Sequence, residues 1–493
     1  MSNKIPLPKL QDYGLNGATG FLPVELPVTK LSDPYYEKWE SVVSKLPSLL
    51  LSRRIRDIVD KLPILEVKKS LLADNAELRR AYSVLCFITN AYVWGYDEPS
   101  EILPECIAQP LLAISDKLGL PPLATYASLV LFNYQPIIED SELVEDVMDL
   151  QNLTTINTFT GGMDESWFYL VSVFFEKTGG QCLKAGLEAI QAARDGNSEK
   201  VRSLLESIAQ GIDQLGSLLM RMEEMCDPHV FYYRIRPYLA GWKNMADAGL
   251  PNGIKYGPSG PYQQYAGGSN AQSSLIQALD ILLGVEHFAM GHKKPQQDAI
   301  SAKSASNSFI NDMRMYMPRE HREFLVHLQQ VSNVRDYVTN HRSNENLTLA
   351  FDACLAMLKS FRDKHIQIVS RYVILQANKK PLSGGKSKTL RSGLSKGQGK
   401  KEQKGTGGTS LIPFLKQCRD ETGSVAASDW GKKMLSTGVL QVQSSSSIVG
   451  IRKQREEDQC TEQNSKRAKV GLAGDWSSFD DDDEIVSRSS GHW

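Results

Sequence analysis

One histidine interrupts an otherwise apolar face. In the stretch Phe351–Leu375, FDACLAMLKSFRDKHIQIVSRYVIL, apolar residues recur at helical spacing at Phe351, Cys354, Leu355, Leu358, Phe361, Ile368, Val369 and Tyr372. His365 falls on the same stripe, four residues after Phe361. An imidazole there points where a leucine would be expected, and both of its ring nitrogens must be satisfied by hydrogen bonds or by a metal. The residues alone leave both readings open, a core histidine or a ligand. Arg362 lies about one turn earlier and Lys364 beside it, on other faces of the helix.

The motifs of many enzyme classes are missing. No Walker A loop, HExxH, nucleophile elbow or strand-GxGxxG-helix pattern is found, and AGGS at 266–269 has neither a preceding strand nor a following GK. The seven cysteines form no CxxC pair, which argues against a structural zinc site or a disulfide framework and for a reducing compartment, the cytosol. A formal net charge of −1 gives no argument for nucleic acid or a membrane surface as partner. The longest apolar runs are too short to span a bilayer, and MSNKIPLPKLQDYG lacks a signal-peptide core. An inward histidine on a long helix of an apolar, helical core suits a haem pocket, in which the protein supplies an axial imidazole.

The elements that would position this histidine are helices, and the fold class read from the pattern is all-α. At 493 residues the chain has room for two domains and appendages. A small helical domain is expected over 1–157, where PPLATYASLVLFNY opens with Pro121-Pro122 as a helix start, and 135–165 reads as the connection to the next domain with some strand. A larger domain is expected over 158–421. In it ESWFYLVSVFFEKTGG reads as a buried helix closed by Gly179-Gly180. A long amphipathic helix follows, with stripe Val201, Leu204, Leu205, Ile208, Ile212, Leu215, Leu218 and Leu219, and Ser269 or Asn270 is the expected N-cap of SLIQALDILLG. A mobile basic Gly/Ser-rich loop is expected over 377–409, with nine Lys/Arg against one Glu in 379–404, and a disordered polar tail over 422–493.

Several separated segments, in order, resemble indoleamine 2,3-dioxygenases, with the fungal enzymes the nearest fit. They are LPPLATYASLVLFNY, RIRPYLAGW, YAGGSNAQSS, NDMRMYMPREHREFL, SFRDKHIQIVSRYV and KGTGGT, within about residues 26–422. The resemblance implies a monomeric, two-domain, all-helical protein carrying haem b. Its reaction would insert both atoms of O2 into the indole C2=C3 bond of L-tryptophan, giving N-formyl-L-kynurenine, the first step of the kynurenine pathway and of NAD synthesis. An electron donor would keep the iron ferrous. The alternative is a low-affinity relative that binds O2 without turnover.

By the same resemblance His365 is the proximal iron ligand, and Arg362 with Asp280 is a pair near the haem edge. Phe168 and Ser172, four apart on one helix, would face the indole and O2. Phe231 and Arg236 would hold the substrate, the latter as a planar fork for its carboxylate. Tyr126 and Val130 would complete the pocket. Gly267, Gly268 and Ser269 would let backbone approach haem and substrate closely, and Thr406 would lie on a loop closing over the amino acid. The chain departs from better-known members at Tyr169, Asn270 and Pro237, and the proline is expected to push Arg236 out of α geometry.

Overall fold

The computed structural model describes residues 5–288, 308–378, 405 and 411–436. Among the described residues helix dominates. The strands are short, a three-stranded sheet made of Ile102–Leu103, Ile254–Tyr256 and Tyr262–Gln263, and a hairpin pairing Tyr134–Pro136 with Leu153–Thr155. No described helix is long and apolar enough to cross a membrane.

Helix α1 (Asn75–Trp94) is the centre of the N-terminal part. Asp74 caps it, its carboxylate accepting from the amides of Ala76 and Glu77. From Arg80 to Trp94 every residue is buried, as expected of a helix apolar on all faces. Several of its polar groups are paired. Arg80 Nε donates to Glu40 Oε1 at 3.0 Å. Asn90 Nδ2 donates to the carbonyls of Tyr238 and Ala240, while its Oδ1 accepts from Ala124 N. That one amide ties α1 to two segments of the site described below.

The C-terminal part is built on three long helices, α2 (Met163–Arg194), α3 (Ser198–Met220) and, later in the chain, the helix of His365. The expected α3 stripe is buried throughout, and α3 packs along both of the others. Gly211 of α3 allows the close approach, because a Cβ there would come within 2.5 Å of Cys182 Sγ on α2. Helix α4 (Ser274–Leu282) lies against α2, and α5 (Glu345–Val369) carries His365.

Four local expectations are corrected. Gly179 and Gly180 do not end a helix, since α2 runs on to Arg194. They serve close packing instead: a Cβ on Gly179 would meet Leu275 Cδ2 at 2.0 Å, and one on Gly180 the Gly20 nitrogen at 2.7 Å. Pro121-Pro122 does not start a helix, because the carbonyls of Pro121 and Leu123 accept from the Tyr82 hydroxyl. Helical structure begins only at Tyr126 and widens into a π turn over Ala127–Leu131. Ser269 caps only the short 3-10 turn Asn270–Gln272, and α4 starts after Ser273. Arg236 keeps α geometry, φ −52° and ψ −36°, despite Pro237. The backbone accommodates the ring by changing from a π turn (Phe231–Ile235) to a 3-10 turn (Arg236–Leu239).

Ordered structure also continues past 421, where the tail was expected to begin. Helix α6 (Leu411–Gly423) packs on α5, and α7 (Asp429–Ser436) follows. Val425, Ala426 and Ala427 are small enough to be buried between them, and Asp352 accepts from the amides of Ala427 (2.7 Å) and Ser428 (3.1 Å). Residues 437–493, the basic stretch 379–404 and Thr406 lie outside the described residues.

Gly180→Ala tests the packing role. A solvent-facing helical glycine gains about 1 kcal/mol on becoming alanine. Here the methyl meets backbone, so unfolding in urea should show a loss of about 1–3 kcal/mol. A gain would mean that the contact with Gly20 is dispensable.

Candidate functional site

A cavity of about 280 Å³ opens among α2, α4, α5 and α6, and the turns at 126–131, 231–239 and 268–273 close it. Helix α2 contributes Phe168 and Ser172, and the first turn contributes Tyr126 and Val130. Phe231 and Arg236 come from the second turn, Gly268 and Ser269 from the third. Asp280 reaches the wall from α4, Arg362 and His365 from α5. Of the site residues expected from sequence, two are not on this wall: Gly267, which packs against backbone instead, and Thr406, which is outside the described residues, although its neighbour Gly405 is buried and lines the cavity.

Three π turns deliver wall residues: Val130 from Ala127–Leu131, Phe231 from Phe231–Ile235, and Tyr372 and Val373 from Ser370–Ile374. A π turn inserts an extra residue per turn and re-aims the side chains after it. The aromatic rings meet each other: Phe168 and Phe231 at 4.8 Å between centroids, Phe231 and Tyr372 at 5.7 Å. Phe175 of α2 lies 5.5 Å from Phe361 of α5, one turn before His365.

Polar groups on the wall are held from behind. Tyr126 donates its hydroxyl to Glu176 Oε1 at 2.9 Å, and Ser273 donates to the same oxygen at 2.6 Å. Ser172 Oγ donates back to the Phe168 carbonyl at 3.2 Å, so in this state its hydroxyl is engaged with its own helix. Arg362 Nη2 donates to both oxygens of Asp280 at 2.8 Å, and its Nη1 to Thr422 Oγ1. The buried Arg236 guanidinium lies 5.3 Å from the centroid of the Tyr232 ring, and burial draws its pKa down to about 10.

His365 differs. Neither ring nitrogen has a hydrogen-bond partner among the described residues, and the accessible part of the ring faces the cavity. Burial, with the Arg362 charge adding, pushes its pKa down to about 4. The imidazole is therefore neutral at pH 7, with a lone pair to offer.

Two groups escaped the sequence reading. Glu176 is fully buried, and burial raises its pKa to about 7, with Oε2 unpartnered among the described residues. Its position was a usable signal, a carboxylate one turn after Ser172 in an apolar run. The other is His287, whose Nε2 donates to Asp280 Oδ2 (3.1 Å) and Nδ1 to Glu421 Oε2 (2.6 Å). Burial alone would lower its pKa, but Asp280, with Cys418 and Glu421, carries it well above the ordinary value. Nothing local marks it, since Glu421 is 134 residues away.

Comparison with known proteins places this geometry. Residues 9–425 match the family model described as indoleamine 2,3-dioxygenase. The chain is 49% identical over 433 residues to the indoleamine 2,3-dioxygenase of Saccharomyces cerevisiae, covering 85% of this chain and 94% of the relative. The chain belongs to the indoleamine 2,3-dioxygenase family. A 6-hydroxytryptophan 2,3-dioxygenase of Fusarium equiseti is 35% identical (84% of this chain, 96% of the relative), and mouse indoleamine 2,3-dioxygenase 1 is 34% identical (84% and 94%). Family membership makes the chain a haem-dependent dioxygenase of tryptophan catabolism, and a carrier of O2 without turnover is not favoured.

The residues present fit a haem. The cavity wall is largely apolar, and the neutral, unpartnered nitrogen of His365 is the donor such iron needs. One departure from other dioxygenases of the family, Tyr169, has a structural account. The Tyr169 hydroxyl donates to Glu165 Oε1 at 3.0 Å, so Glu165 takes up the added polar atom. Gly267 is spent on backbone packing, since a Cβ there would lie 2.1 Å from the Leu239 carbonyl, whereas a Cβ on Gly268 would meet a side-chain methyl, Leu129 Cδ1, at 2.5 Å.

Glu176 gives a pH signature. A carboxyl with its folded pKa raised from 4.5 to about 7 binds its proton more tightly folded than unfolded. Its contribution is complete below 4.5 and is lost as pH rises through about 7. Replacing it by glutamine removes that slope. Relative to the parent, Glu176→Gln should gain on the order of 2–3 kcal/mol of stability between pH 5 and 8 in urea titrations. Parallel pH profiles for the two proteins would mean that Glu176 is ionised in the fold.

Proposed function

We propose that the cavity binds haem b through His365 Nε2 or Nδ1 and L-tryptophan beside it, and that the product is N-formyl-L-kynurenine. What carries this reading is a neutral histidine with no partner among the described residues, facing the same cavity as the buried guanidinium of Arg236. Haem there supplies O2 binding and its transfer to the indole C2=C3 bond. The chain's own residues bind, orient and exclude water.

In this reading Arg236 receives the substrate carboxylate, because a buried guanidinium favours a second, planar anionic partner. Phe168 and Phe231, already in contact, present an aromatic wall to the indole. Val130 and Tyr126 bound the pocket, and Glu176 fixes the Tyr126 hydroxyl so that it does not compete for substrate. Ser172 can rotate its hydroxyl from the Phe168 carbonyl toward the ligand, exchanging one hydrogen bond for another. Gly268 and Ser269 form the third side. Asp280 fixes Arg362 and so the face of α5 that carries His365. No general acid or base is required of the wall.

The finer assignments are supported by chemistry alone. The six described cysteines are free and buried, which supports a reducing compartment such as the cytosol. An electron donor is needed to keep the iron ferrous, and the protein is proposed to work as a monomer.

Haem-loaded protein should show a Soret band and, with L-tryptophan in air under reducing conditions, the absorbance of N-formylkynurenine. His365→Ala should lose the Soret band. Arg236→Ala should keep it while KM for tryptophan rises by roughly 10- to 100-fold, the loss expected for charge-assisted hydrogen bonds to a carboxylate. An unchanged KM in Arg236→Ala would refute the carboxylate assignment.

A further inference from the structure

Beside the Asp280–Arg362 pair, at the edge of the cavity that Cys418 also lines, three side chains of different chemistry converge. Cys418 and Glu421 lie three residues apart on α6 and so share a face. His287 approaches them from the segment after α4. One ligand atom from each, a ring nitrogen, the sulfur and a carboxylate oxygen, all lie within 4.8 Å of one another. The His287 and Glu421 side chains are only 6% and 12% exposed, and Cys418 is buried.

We propose that His287, Cys418 and Glu421 form a three-ligand site for a thiophilic divalent cation, with zinc the best fit.

The surrounding hydrogen bonds already have the form that such a site needs. His287 Nε2 donates to Asp280 Oδ2 at 3.1 Å, which fixes the ring and directs Nδ1 to the ion, the carboxylate–histidine–metal arrangement. Glu421 Oε1 is held by the Phe288 amide (3.2 Å) and by Gln417 Nε2 (2.7 Å), which directs Oε2 to the same point. Nδ1 and Oε2 are now 2.6 Å apart with a proton between them. Zinc bonds of about 2.0–2.1 Å at tetrahedral angles would part them to roughly 3.3 Å. A movement of about 0.7 Å is within reach of a histidine rotamer and a glutamate side chain.

Charge also balances. Binding releases one proton from the His287 ring and one from the Cys418 thiol to solvent. The divalent ion, thiolate and carboxylate then sum to zero, so no net charge is buried. Sulfur and imidazole donors select zinc over magnesium and calcium, which require oxygen ligands. The fourth position is left to water, as in sites that are not purely structural.

The test uses the full-length, haem-loaded protein, stripped of loose metal with a chelator and dialysed against zinc or magnesium. The parent should retain one zinc, with micromolar or tighter affinity, and no magnesium. Cys418→Val, close to isosteric, should weaken zinc binding by more than about 100-fold, as should His287→Gln. Cadmium added to the parent should give the ultraviolet band of a single cadmium–thiolate bond, a readout that needs no variant. No zinc bound below millimolar concentration, no thiolate band, or folded Cys418→Val that binds as the parent does, would each overturn the proposal.

Discussion

The governing constraint is the cost of desolvating polar groups around an apolar cavity. Leaving a buried donor or acceptor unsatisfied costs about 1–3 kcal/mol, and more for a charge. The wall answers that cost from outside the cavity. Glu176 serves Tyr126 and Ser273, Asp280 and Thr422 serve Arg362, Glu165 serves Tyr169, and the Cys226 carbonyl serves Tyr372 at 2.6 Å. Each pairing keeps a polar atom from turning inward. His365 is the contrast, because its two nitrogens find no such partner among the described residues and its remaining exposure is toward the cavity. A group left in that state needs a partner from outside the chain.

That arrangement could be assembled only by departing from regular helix. Val130, Phe231 and Tyr372 all belong to π turns, in which the hydrogen-bond ladder is interrupted and the side-chain register shifts. Close approach of backbones supplies the rest. Gly241 and Gly267 interlock, a Cβ on the first meeting the Tyr265 carbonyl at 2.3 Å and one on the second the Gly241 nitrogen at 2.3 Å. Arg236 and Gly268 belong to the two segments that this contact joins. The asparagine of α1 that holds the Tyr238 and Ala240 carbonyls fixes the same corner from the N-terminal side.

This also explains which features were legible in the sequence. Periodicity is a property of regular helices, and it read the α3 stripe and the inward direction of His365 correctly. The π turns leave no periodic trace, so PPLATYASLVLFNY has the pattern of an ordinary helix from Pro121. Gly179-Gly180 read as a stop because a glycine pair at a helix end and one at a helix crossing look alike until the neighbour is known. Here the neighbours are Leu275 and Gly20, 96 and 160 residues away in sequence. The cavity residues follow from family resemblance, not spacing, and of the groups that support them Asp280 alone follows with them, while Glu176 and His287 carry no such signal. Tyr126 and Glu176 lie 50 residues apart, and His287 and Glu421 134. Local patterns carry no information about contacts of that range.

Arg362 joins the two halves of the problem. Its bidentate bond to Asp280 ties α5 to α4, and its second arm reaches Thr422 on α6, so one guanidinium fixes three helices at the back of the cavity. A buried pair of this kind is weak evidence for net stability, since desolvating both charges offsets most of their attraction. Its value lies in geometry and in field. Three residues further along α5, the same positive charge adds to burial in disfavouring imidazolium at His365. A histidine with a pKa of about 4 is neutral across the physiological range, so its lone pair is available without first shedding a proton. Exchanging Arg362 for a neutral residue would leave Asp280 to His287 alone and weaken the field that keeps His365 deprotonated. Burial and this one guanidinium therefore act together to keep the ligand neutral, burial being the larger cause.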